Sequence, residues 1–295
     1  MRKLAAAPAV FLILASASWA AAPDGSTSAS LATFRVTAAE VHVTFTAVRE
    51  RNQPVTNLAP KDFTLLRDGR PVQQIVGFRR YQRESVSAMV LTDVSDSMEK
   101  ALPLERAASQ WLQSSANPSV DRIAFANFGL EVESGNAKVH NRTMTSLYDA
   151  LMETLPRIAP SGSGIQALIL LSDGIDNDSF HGLDDVITLA QRRNVAIYAI
   201  TAHPGKKQYY RPDLLRKLCE ETGGKYYDVR KTDAMLTAMA DINDELRNGY
   251  EVIFSPGPDA GLHELTIQPN DRHMRFYYRT AYYQPAPITE MASAR

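Results

Sequence analysis

Leu91-Thr92-Asp93-Val94-Ser95-Asp96-Ser97-Met98 closes an apolar run that begins at Ala88, placing a carboxylate and then two hydroxyls at alternate positions after a predicted β-strand. In an open α/β sheet, ligands bind beyond the carboxyl ends of the strands. A tight loop there can aim Asp93, Ser95 and Ser97 at one point, offering three hard oxygens. Such a set suits Mg²⁺, Mn²⁺ or Ca²⁺, whereas zinc and copper favour nitrogen and sulfur. A plainer reading competes: Asp96 or a serine can cap the free N–H groups of the following helix.

Two more segments carry the same signature. Ile169-Leu170-Leu171-Ser172-Asp173-Gly174 is a second apolar strand ending in a carboxylate, and Thr143-Met144-Thr145-Ser146 puts hydroxyls just before a helical pattern. Three oxygen-bearing loops at one sheet edge are a poor match to three independent caps.

Working outward, residues 86–247 alternate short β-rich runs with segments of helical period, the pattern of a parallel sheet covered by helices. Strands are expected at Ala88–Thr92, Arg122–Phe128, Ala167–Leu171, Val195–Thr201 and Lys225–Asp228. Between them, Leu104, Ala107, Ala108, Trp111 and Leu112 fall on one helical face; Leu147, Leu151 and Leu155 on a second; Val186, Leu189 and Ala190 on a third. The flanks read differently. Val41, Val43 and Phe45 alternate with polar residues, and Asp68-Gly69 marks a hairpin turn between Phe63–Leu66 and Val72–Phe78. Tyr250–Phe254, Leu262–Ile267 and Met274–Tyr278 are further strands. The expected organisation is a signal peptide over 1–20, a β-rich segment over 21–85, an α/β domain over 86–247, C-terminal strands over 248–284 and a disordered tail over 285–295. The two β-rich flanks are expected to join in one small antiparallel domain, since neither has enough strands alone.

The DxSxS element after an apolar strand, the threonine opening a later helix and the strand ending in Ser-Asp-Gly resemble, in element order over 86–247, the metal-ion-dependent adhesion site of von Willebrand factor type A domains. The resemblance implies a doubly wound, mostly parallel sheet sandwiched by helices. Carried over position by position, it implies metal ligands at Asp93, Ser95, Ser97, Thr145 and Asp173, direct or through water. It further implies one divalent cation, Mg²⁺ before Mn²⁺ or Ca²⁺, and a protein partner whose Asp or Glu completes the metal shell. Family members often carry two glycines before the site threonine; here Thr143 and Met144 stand there, which makes Thr143 a rival ligand. The short stretch between Phe128 and Thr145 implies that a helix of the usual fold is reduced or lost. Val41-His42-Val43, Lys61-Asp62-Phe63, Asp68-Gly69 and the Arg279–Tyr283 ending look similar to a bacterial subfamily of exported proteins related to these domains.

Composition narrows the rest. Thirty-two basic against 33 acidic side chains leave no field to attract nucleic acid or an anionic membrane. Arg2 and Lys3, the apolar run Val10–Leu14 and the small residues up to Ala20 form a secretory signal pattern, with cleavage expected after Ala20 and a secreted or periplasmic destination. No later run reaches the roughly 18 apolar residues of a membrane span. The lone Cys219 excludes an internal disulfide and reads as a buried, inert thiol beside Leu215 and Leu218. No nucleophile elbow, HExxH helix, phosphate loop or dinucleotide fingerprint is present, and the chain is read as a non-enzyme. A hydrolytic alternative would draw on His181, Asp176 and Asp178; another alternative is a structural protein whose metal only stabilises the fold. Lys206, Lys207, Tyr209, Tyr210 and Arg211 form a basic, aromatic connection, read as exposed chain or as a partner contact.

Overall fold

Successive side chains of the strand Ser87–Asp93 enter two different cores: Ala88 and Val90 pack with one set of helices, Met89 and Leu91 with another. Every residue of this strand is buried, as a strand covered on both faces must be. The computed structural model describes residues 34–35, 40–135, 144–158, 165–203, 210–286 and 290–291. The expected signal peptide, the end of the tail, Thr143, Lys206, Lys207 and Tyr209 lie outside the described residues.

The chain runs through β1 (Phe34–Arg35), β2 (Val41–Val48), β3 (Phe63–Arg67), β4 (Arg70–Pro71) and β5 (Ile75–Tyr81) before reaching β6, the strand Ser87–Asp93. It continues as α1 (Leu102–Ser115), β7 (Arg122–Phe128), β8 (Val132–Ser134), α2 (Leu147–Thr154), β9 (Gln166–Leu171) and α3 (Leu183–Arg193). Next come β10 (Val195–Ala202), α4 (Pro212–Thr222), β11 (Tyr226–Val229) and α5 (Thr232–Arg247). The last strands are β12 (Gly249–Phe254), β13 (Gly261–Pro269), β14 (Arg275–Tyr277), β15 (Ala281–Gln284) and β16 (Glu290–Met291).

A six-stranded sheet has the order β11-β10-β9-β6-β7-β8, parallel except for the β7–β8 pair. The chain builds from β6 toward β8, then returns to the other side of β6 with β9. The order therefore reverses between β6 and β9, and such a switch point opens a crevice at the strands' carboxyl ends. α1 and α5 cover one face through Ala108, Leu112, Met235, Met239 and Ile242. α2, α3 and α4 cover the other through Leu147, Leu151, Val186, Ala190, Leu215 and Leu218. This is the doubly wound sandwich the strand pattern predicts. Cys219 is buried in the second layer, and no helix lies between β7 and α2 among the described residues.

One helical face differs from expectation. α1 turns Ala101, Glu105, Ala108 and Leu112 fully inward, while Leu104, Ala107 and Trp111 are only half-buried flanks. A carboxylate thus occupies a core position.

The flanks interleave in two antiparallel four-stranded sheets, β14-β2-β12-β5 and β15-β13-β3-β4. Val43 pairs with Val252 and Leu65 with Ile267, so each sheet draws strands from both ends of the chain. Between the sheets lies a third core of Phe45, Phe63, Leu65, Tyr250, Val252, Phe254 and Ile267. The Asp68-Gly69 turn forms as expected, but its second arm is only Arg70–Pro71. β5 then crosses to the other sheet and pairs with β12, because Ile75 and Phe78 cover the core from that side. Apart from the body Val36–Ile288, β1 and β16 pair Phe34 with Met291. Among the described residues no helix is long and apolar enough to cross a membrane.

The chain passes into and out of the α/β layers side by side: the Glu84 N–H donates to the Arg247 carbonyl at 3.2 Å. Arg247, ending α5, grips both carboxylate oxygens of Asp121 at 3.1 and 2.8 Å. Burial alone would raise the pKa of Asp121, but Arg247 and the N–H groups of Val86 and Asn117 hold it below the usual carboxylate range. Removing one member of a buried pair strands the other, so Asp121→Ala should lose about 3–5 kcal/mol of stability in urea unfolding. A loss within experimental error would mean that Arg247 finds another partner.

Candidate metal centre

β6 and β9 flank the switch point, and each delivers an aspartate at its carboxyl end, Asp93 and Asp173. After Asp93 the chain makes one 3-10 turn, Asp96–Met98, and then enters α1 behind Ala101. Neither start has a side-chain cap, and Asp96 is exposed. The capping reading of this loop therefore fails.

The polar groups converge on one another. The Ser95 N–H donates to Asp93 Oδ1 at 3.0 Å, and the Ser95 and Ser97 hydroxyls lie 3.0 Å apart. The Ser172 hydroxyl donates to Asp93 Oδ2 at 2.8 Å and accepts from the Gly174 N–H at 3.0 Å, linking the two strand ends directly. Asp173 Oδ1 accepts from the Ile175 N–H at 3.0 Å, whereas its Oδ2 is buried with no hydrogen-bond partner. Gly174 takes φ +79°, and a Cβ there would lie 2.9 Å from Leu215 Cγ and 3.0 Å from the Arg211 carbonyl. Only glycine lets the chain turn here and still dock on α4.

Thr145 is buried and belongs to the loop after Asp173 through a reciprocal pair: its N–H donates to Asn177 Oδ1 at 2.8 Å and its carbonyl accepts from the Asn177 N–H at 3.0 Å. The same loop caps α2. Asp176 Oδ1 accepts from the Leu147 N–H at 2.8 Å, and Ser179 Oγ accepts from those of Tyr148 and Asp149 at 3.1 and 3.2 Å. Asp149 in turn accepts from the N–H groups of Phe180 and His181 and meets His181 Nδ1 at 2.6 Å. Asp176 and His181, the candidates for a hydrolytic role, are thus engaged in holding this loop.

Five of the oxygen-bearing residues read from the sequence are therefore at this edge: Asp93, Ser95, Ser97 and Asp173 in close array, and Thr145 buried on the adjoining loop. Three contributors were not foreseen. Ser172 was visible within Ser-Asp-Gly; Asn177 had no distinguishing signal; Glu105 had one, three residues before Ala108 and seven before Leu112 on the core-facing stripe. Glu105 is fully buried and neither of its carboxylate oxygens has a partner.

Burial dominates the electrostatics of this edge. Burial pushes Asp93 up to about 6, with the Ser95 hydroxyl and N–H pulling down and the Asp173 charge pushing up. Burial also raises Asp173, against the Ser97 hydroxyl and the Ile175 N–H. Burial together with the charges of Asp93 and Asp173 holds Glu105 well above the usual carboxylate range. Among the described residues no three His, Cys, Asp or Glu side chains form a metal cage. The donors fit a hard cation held by two carboxylates and neutral hydroxyls, and the orphaned Asp173 Oδ2 is the kind of atom such an ion would satisfy.

No protein-family model matches the chain, nor does any curated protein. Among solved structures it is similar to proximal thread matrix protein 1 from the mussel byssus, at 12% identity over 68% of this chain and 50% of that one, with a TM-score of 0.47. The chain thus spans about half the length of the mussel protein. A structure of that protein with a zinc-occupied MIDAS motif is similar at 14% identity, over 59% of this chain and 48% of that one, with a TM-score of 0.47. BatB from Bacteroides thetaiotaomicron is similar at 14% identity over 55% of this chain and 98% of that one, with a TM-score of 0.42. In fold, the α/β body is von Willebrand factor type A-like on its own strand order and on the arrival of its DxSxS and Ser-Asp-Gly segments at the switch point.

A pH prediction follows from Asp93. Burial lifts its carboxyl to about 6 in the folded chain, against about 3.9 for an ordinary aspartate. Between those values the folded state binds the extra proton, so this group adds stability as pH falls and withdraws it as pH rises through about 6. Urea unfolding in EDTA between about pH 4 and pH 7 should show this slope, reduced in Asp93→Asn. Parallel profiles for the two proteins would mean that Asp93 is no better protonated in the folded chain than in the unfolded one.

Proposed function

We propose that this protein is an exported interaction module that holds one divalent cation, Mg²⁺, at the switch point and offers it to an Asp or Glu carboxylate of a protein partner. The observation that carries the reading is the meeting of two buried carboxylates from β6 and β9, one with an unpartnered oxygen, inside a ring of serine hydroxyls. Asp93, Ser95, Ser97 and Asp173 would hold the ion, with Thr145 from the loop docked on Asn177. When bound, the cation supplies a positive charge that two carboxylates and neutral hydroxyls leave incompletely neutralised, and octahedral geometry keeps a position open to an outside ligand. The protein's own contribution is positioning: Ser172 orients Asp93, and Asp176 with Ser179 fixes the start of α2. The signal pattern before Ala20 supports export.

Binding fits this edge better than catalysis. The His181 ring is committed to Asp149 and Asp176 caps a helix, so neither is poised as a general base. A cation that merely fastened the fold would stabilise it by mass action alone, by about 2.7 kcal/mol at a hundredfold excess over Kd.

Calorimetric titration with Mg²⁺, Mn²⁺ and Ca²⁺ should find one site in the wild type and none in Asp93→Ala or Asp173→Ala, both still folded by circular dichroism. A wild type that binds nothing would overturn the reading. A partner captured from envelope extracts and released both by EDTA and by Ser97→Ala separates an interaction module from a metal-fastened scaffold.

A further inference from the structure

Glu105 lies in the first turn of α1, on the stripe of Ala101, Ala108 and Leu112 that packs against Val90, Ile169 and Leu171 of the central sheet. Of that stripe it is the one charged residue, and it stands in the first turn of the helix that follows the loop carrying Asp93, Ser95 and Ser97. It is 0% exposed, and no group among the described residues hydrogen-bonds either carboxylate oxygen. The two charges it feels are those of Asp93 and Asp173, both of its own sign. An apolar residue would fill the stripe without this cost, because a buried carboxyl without a partner is destabilising whether charged or neutral. The two charges that act on it belong to the proposed cation site, where positive charge is called for.

We propose that Glu105 is a further residue of the metal centre, a carboxylate behind Asp93 and Asp173 that balances the charge of the bound cation from the core side without ligating it. This rests on the cation-binding reading above. No cage of three such side chains forms among the described residues, so the role assigned to Glu105 is exerted through the field at the site and not by ligation. A unit charge just beyond the ligand shell, screened at an effective dielectric of about 20, changes the affinity for a cation by about 10–100-fold when removed.

The test titrates the full mature chain with Mg²⁺ and with Mn²⁺, comparing wild type, Glu105→Gln and Glu105→Leu, alongside melting curves in EDTA. The expected result is a Kd weakened by roughly 10–100-fold in both variants, with metal-free melting temperatures equal to or above that of the wild type. That opposition of signs is what a purely structural glutamate would not produce. Unchanged Kd values in folded variants would overturn the proposal and leave the cation site standing, whereas a wild type that binds no cation would bring down both. Variants that melt lower without metal while keeping wild-type affinity would assign Glu105 to packing instead.

Discussion

Two buried aspartates from strands far apart in the chain, Asp93 and Asp173, meet at one sheet edge, where Ser172 beside Asp173 donates to Asp93. This is the constraint on which the rest of the site depends. Coulomb repulsion in a poorly solvated place costs more than it would at the surface, and each aspartate is propped by donors chosen to offset it. For Asp93 these are the Ser95 N–H and the Ser172 hydroxyl; for Asp173, the Ser97 hydroxyl and the Ile175 N–H. The donors do not exhaust the acceptors, and Asp173 Oδ2 and both oxygens of Glu105 stay unsatisfied. Few groups of this kind survive in a folded chain without a functional reason.

The surrounding architecture holds that edge rigid. The loop after Asp173 does three things at once: it turns at Gly174 against α4, it pairs with Thr145 through Asn177, and it caps α2 through Asp176 and Ser179. A segment so committed has little freedom to drift, which is the preorganisation a recognition site needs. Further away, the β-sandwich closes on the α/β layers where the chain passes between them, at Glu84, Arg247 and Asp121. The end of α5 is thus pinned by a buried ion pair while its apolar face lies in the same core as α1.

Much of this was legible in the chain. Apolar runs ending in Asp93 and Asp173 announced buried parallel strands, because a strand covered on both faces cannot alternate. Asp93, Ser95, Ser97 and Asp173 stood out because they follow such runs, Thr145 because it opens a helical pattern, and the resemblance to an adhesion site is what joined the five. Less legible was the fate of β5, whose turn signal at Asp68-Gly69 promised a hairpin; only the competition between two sheets for Ile75 and Phe78 decides where it pairs. The inward face of α1 was displaced as well, since a glutamate on the core stripe runs against the rule by which helical faces are read.

By itself, the sequence determined the class of the fold, the β-rich flanks, the two strands that carry the aspartates and the hard-oxygen chemistry of the loops, since local period and residue type are properties of short segments. Tertiary structure alone decided that the joint domain expected of the two flanks is a two-sheet sandwich with strands from both ends in each sheet, that Ser172 bridges the strand ends, that Asp176 is spent on capping and His181 on Asp149, and that Glu105 is buried without a partner. These are long-range outcomes. They depend on which distant groups end up within hydrogen-bond reach or within the same low-dielectric layer, and spacing along the chain does not encode that.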